Sequence, residues 1–134
     1  MDRLELEADI TASLPWGDRT MTATGLWDTG ATHTVISKQL AERLGAVILP
    51  PDISDDEVIK ASDSIFIGTT LIRMRIGAIV TPPFMAKVDD FNPEGKHDPA
   101  SLPDFLIGMN IIASGTLEVN SSSGETIVRF AAEF

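Results

Sequence analysis

Cysteine is absent from the 134 residues, and histidine occurs only twice. No disulfide framework, thiolate metal site or cysteine nucleophile is therefore available. His33 and His97 stand without neighbouring ligands, so neither a metal nor any other cofactor is expected. No apolar run is long enough to span a membrane. The N-terminal stretch MDRLELEADI is charged, which predicts no secretory signal and fits a cytoplasmic location. Basic residues are few, 10 against 20 acidic, and they form no cluster. A net charge of −10 repels nucleic acid and anionic membranes, leaving peptides or small molecules as the expected partners. There is no Gly-x-Ser-x-Gly and no glycine-rich phosphate loop, so serine-hydrolase and nucleotide readings lack support. Asp90 to Gly95 opens like a calcium loop, but Pro93 intrudes and the twelfth position is Ser101.

What is present points to strands. Apolar residues make up 43%, and 10 glycines and 8 prolines split them into short stretches. Leu4, Leu6, Ala8 and Ile10 alternate with charged residues, predicting a half-buried strand. A turn at 13–19 leads into a second strand over 20–27. Residues 37–45, SKQLAERLG, predict the one convincing helix, with Ser37 as cap, Leu40 and Leu44 on one face and Gly45 as stop. Residues 55–68 are expected to form a hairpin with its tip at Ser62-Asp63-Ser64. Strands over 70–77 and roughly 78–88 follow, and 89–104 is a surface loop. FLIGMNIIASG, 105–115, predicts a strand, a glycine and one helical turn. TLEVN and ETIVRF flank a turn at 121–124 and close the chain as a hairpin. No repeat or linker divides the sequence, so a single domain over 1–134 is expected.

The stretch LWDTGATHTVIS, 26–37, carries the chemistry. Asp28 follows the bulky pair Leu26-Trp27 and precedes a turn at Gly30, where glycine is free to adopt φ values closed to other residues. Burying a carboxylate beside such a run is costly unless hydrogen bonds hold it. Backbone N–H groups and the Thr29 hydroxyl are the expected donors. An Asp-Thr-Gly turn alone is common, but a second apolar strand meets a glycine at Phe105-Leu106-Ile107-Gly108. Together, Leu26 to Ala31 and Leu106 to Asn110 resemble the two motifs of retropepsin-like aspartic proteases, in the right order and spacing over nearly the whole chain. Three positions depart from retroviral members. Thr32 stands where they carry a further Asp, Met109 where they carry Arg, and the tip of the 55–68 hairpin, which lies in the place of the family's flap, lacks glycine. Loss of the first two together suggests an alternative packing and resembles the bacterial-type branch.

The resemblance implies an all-β, single-lobe, acid-protease-like closed barrel with one or two short helices, functional as a homodimer. It implies Asp28, Thr29 and Gly30 as the catalytic loop. Ala31, Ser62, Asp63, Ser64, Ile65 and Ile67 would contact a peptide or protein substrate, with Phe66 beside them. Trp27, Ile107 and Gly108 would support the loop from behind. Aspartic proteases need two carboxylates sharing one proton, because like charges about 3 Å apart do not both ionise easily. Neither Asp18 nor Asp63 is followed by a Thr/Ser-Gly pair, so the chain holds half a site. A two-fold axis between two Asp28 side chains would supply the other half. Thr29 would bond across that axis, with Ile127-Val128-Arg129-Phe130 as the candidate interface strand. The alternatives are a non-catalytic peptide-binding or dimerisation module, and a latent enzyme, on the same fold.

Overall fold

The computed structural model describes residues 4–51, 65–122 and 125–133. Among the described residues, nine strands and two short helices run in the order β1 (Glu5–Ala12), β2 (Arg19–Trp27), β3 (Val35–Ser37), α1 (Lys38–Leu44), β4 (Ile65–Ile76), β5 (Ile79–Val80), β6 (Phe84–Asp90), β7 (Phe105–Ile107), α2 (Met109–Ile112), β8 (Gly115–Ser122) and β9 (Glu125–Ala132). A short 3-10 turn covers Pro99–Ser101, capped by the Asp98 carboxylate. The main sheet has the order β1-β2-β7-β3-β6-β4-β5, and β4 pairs back onto β1 from Asp9↔Arg75 to Ala12↔Ile72. Six strands thus close into a barrel, with β5 appended, which is the expected all-β single-lobe architecture. Closure removes open edges from those six strands.

Apolar side chains of the strands fill the barrel. Ile10, Ile36, Ile72, Met74, Val88, Phe105 and Ile107 are all fully buried. Helix α1 follows its sequence signals closely. Ser37 Oγ accepts from Leu40 N–H at 3.0 Å, Leu40, Ala41 and Leu44 are buried, and Gly45 ends the helix with φ of 66°. Such a cap satisfies one of the four donors that every helix start leaves unpaired.

Strand limits differ from expectation in three places. β4 is one strand of twelve residues and does not break at Gly68. Gly68 marks a register shift against β6, where the Leu49 carbonyl crosses so close that no side chain fits. The predicted strand over 78–88 divides at Pro82-Pro83 into β5 and β6, because neither proline has an N–H for a ladder. β6 then runs on to Asp90, into the predicted loop. β1 also departs from strict alternation: Ile10, Thr11 and Ala12 are all buried where β2 and β4 flank the strand. The predicted hairpin arm over 55–61 and the tip at Ser62, Asp63 and Ser64 lie outside the described residues.

β8 and β9 form a separate two-stranded sheet. Leu117, Val128 and Phe130 turn one face of it toward the barrel core. Phe130 meets Trp27 with ring centroids 5.0 Å apart.

Candidate functional site

Asp28 sits where β2 runs out. Side chains alternate along the strand, so Trp27 points inward and is 8% exposed, while Leu26 and Asp28 project to the opposite face. β7 lies parallel beside β2 in the register Gly25↔Phe105, Leu26↔Leu106, Trp27↔Ile107. The ladder continues one step further, because Asp28 N–H donates to Ile107 O at 2.9 Å. Ala31 N–H donates to Asp28 O at 3.1 Å and closes the turn.

The Asp28 carboxylate is half-buried. Its Oδ1 accepts from Gly30 N–H at 3.0 Å. Among the described residues nothing donates to Oδ2, and no cation pairs with the group. The expected backbone donor is therefore present, but the Thr29 hydroxyl is not bonded to it. Gly30 also keeps an ordinary φ, contrary to expectation. A side chain there would come within 3.3 Å of Asp28 Oδ1, so what glycine supplies is room beside the carboxylate. Thr29 and Gly30 are exposed and Ala31 is half-buried.

Gly108 supports this loop from behind. The carbonyls of Ala31 and His33 pass over its Cα so closely that a methyl group would collide with both. Met109 N–H donates to Ala31 O at 2.8 Å, and Asn110 N–H to Thr32 O at 3.2 Å. A side-chain knot locks the two segments. Thr34 is fully buried, and its hydroxyl accepts from Gly108 N–H at 3.2 Å and donates to Asn110 Oδ1 at 2.8 Å. The same Asn110 oxygen accepts from Thr34 N–H at 2.8 Å. Asn110 lies inside the downstream motif. Thr34 gave no separate signal beyond being a polar residue against Val35-Ile36, a setting that requires a partner.

Asp104 is a second hub that sequence reasoning passed over. Its N–H donates to Thr24 O and its carbonyl accepts from Ser37 N–H, both at 2.8 Å. Its Oδ2 accepts from Thr24 N–H at 3.2 Å, and its Oδ1 from Arg43 at 2.9 Å. These bonds fix the entry of β7, and hence the carbonyl of Ile107 that holds Asp28.

Trp27, Ile107 and Gly108 thus gather around Asp28, Thr29, Gly30 and Ala31. Ile65 and Ile67 do not share their sheet position. Strands β7, β3 and β6 separate β4 from β2 on one side of the barrel, and β1 on the other. Ile67 packs against the core and Ile65 is 46% exposed. Phe66 is half-buried beneath the Lys87 ammonium, 5.6 Å from its ring. The candidate interface strand divides its faces: Val128 and Phe130 serve the chain's own core, whereas Ile127 and Arg129 are exposed. His33 is exposed, and no cluster of metal-ligating side chains occurs among the described residues. No described helix is long and apolar enough to cross a membrane.

No protein-family model matches the chain, and no curated protein matches it in sequence. Solved structures do. The retroviral protease-like domain of Ddi1 from Leishmania major aligns over 97% of this chain and 96% of its own, with TM-score 0.53 and 15% identity. A retropepsin-like aspartic protease from Rickettsia conorii aligns over 96% and 93%, with TM-score 0.46 and 14% identity. At such identity the likeness is one of fold, and the fold is that of a retropepsin-like single lobe.

Proposed function

We propose that this chain is one retropepsin-like domain over residues 1–134, of the bacterial type, and that a homodimer of it hydrolyses peptide bonds. The observation that carries this reading is the setting of Asp28. A half-buried carboxylate stands at a strand end with no cationic partner among the described residues, beside small residues, on a loop knotted from behind. In the proposed mechanism two Asp28 groups meet across a two-fold axis and hold one proton between them. The ionised carboxylate takes a proton from water as its oxygen attacks the peptide carbonyl, and the protonated one donates to the carbonyl oxygen. Thr29 and Gly30 shape the loop, and Ala31 lies at the edge of the peptide path. Ser62, Asp63, Ser64, Ile65 and Ile67 would cover the substrate from the flap side.

The test uses wild type and Asp28→Asn with a peptide library from acid to neutral pH. Wild type is expected to cut and the variant not to. A folded, dimeric wild type that cuts nothing, or a variant that cuts equally well, refutes the proposal. The former outcome would leave a peptide-binding or dimerisation module.

A further inference from the structure

A cavity of about 750 Å³ opens beside β2. Glu5 of β1, Leu26 of β2, Arg43 of α1, and Phe91, Leu102 and Asp104 of the segment before β7 contribute to its walls. Leu26 relates it to Asp28. The two residues share a face of the chain, with Trp27 sent to the other. Two residues of strand cover roughly 7 Å, the reach of two residues of an extended peptide. A peptide held with one bond at Asp28 therefore offers this cavity a side chain close to that bond. This step rests on the reading of Asp28 as catalytic.

The lining decides which side chain fits. Leu26, Phe91 and Leu102 give apolar wall for an aliphatic stem. Three charged groups accompany them, two acidic and one basic. Arg43 and Asp104 are matched to each other at 2.9 Å, and the second Asp104 oxygen is taken by Thr24 N–H. Glu5 has no cationic partner among the described residues. One acidic charge is left over in the lining, and the chain's net charge of −10 adds a field of the same sign. A norleucine-like chain would use the apolar wall alone. A long basic chain would use that wall and place its cation against Glu5. We infer that this cavity is a specificity pocket for a lysine or arginine side chain of the substrate, and that Glu5 is the residue that reads the charge.

The experiment compares peptides that differ only by lysine or norleucine at one position near the cleaved bond. At one position within two residues of that bond, lysine is expected to raise kcat/KM about tenfold. Glu5→Gln, an exposed change that retains the strand, is expected to bring the ratio close to one. Equal or better turnover of norleucine at every position overturns the inference, as does a lysine preference that survives Glu5→Gln. Either leaves the catalytic reading intact. The pair is built on a peptide that wild type cuts in the library assay; should wild type cut nothing in that library, the catalytic reading falls, and fluorescence anisotropy with a labelled lysine and norleucine pair judges the pocket. Tighter binding of the lysine peptide that depends on Glu5 upholds it, and equal binding overturns it.

Discussion

At the scale of single residues, Asp28 is held more by main chain than by side chain. Its own N–H extends the β2–β7 ladder, and its carboxylate takes one N–H from Gly30. An asparagine keeps an oxygen for that N–H and differs little in volume. Asp28→Asn is therefore expected to leave the unfolding midpoint within a few degrees of wild type. Turnover should fall by about a hundredfold to ten-thousandfold, the range for loss of a general acid or base. Steady-state kinetics and thermal unfolding on the same samples check both halves. Thr34 shows the opposite balance. Its hydroxyl lies in no reacting position but joins Gly108 to Asn110 in a fully buried place. Thr34→Val keeps the shape and leaves the Gly108 N–H without its acceptor. A loss of about 1–3 kcal/mol is expected. Urea unfolding with an unchanged slope would register it.

At the scale of elements, legibility followed sequence separation. Helix α1 was readable because its cap, its buried face and its stop are neighbours, from Ser37 to Gly45. Its cap is testable: Ser37→Ala is expected to cost about 1 kcal/mol, seen as a lower urea midpoint. β4 was misread because Gly68 looks like a breaker locally. Its cause is the Leu49 carbonyl passing over it, a contact made only after folding. The Thr34–Asn110 bonds span 76 residues, and no pattern in either stretch announces them. The Asp28 and Gly108 motifs were visible because each is contiguous, but the collision that demands glycine at 108 is tertiary. β8 and β9 make the same point through energetics. Two strands alone are marginally stable. Their anchor is the inner face, above all Phe130 on Trp27. Phe130→Ala should loosen the hairpin and expose Trp27. A red shift of its emission, above the constant contribution of Trp16, which is already 74% exposed, is the expected signal.

At the scale of the whole molecule, the deciding quantity is stoichiometry. One chain carries one Asp28 motif, and that was plain from the sequence. Where the second carboxylate comes from was not, since symmetry between copies leaves no mark in a single copy. If two chains share a site, an inactive chain poisons its partner. With wild-type concentration fixed and random, tight pairing, adding Asp28→Asn in equal amount should lower activity to about one half, and a ninefold excess to about one tenth. A chain that acts alone would keep its full rate at every ratio. The mixture must first be unfolded and refolded together, so that pairs exchange before the assay. A flat titration after such mixing would show that no second Asp28 takes part, and the shared-proton mechanism would then have no second carboxylate to draw on.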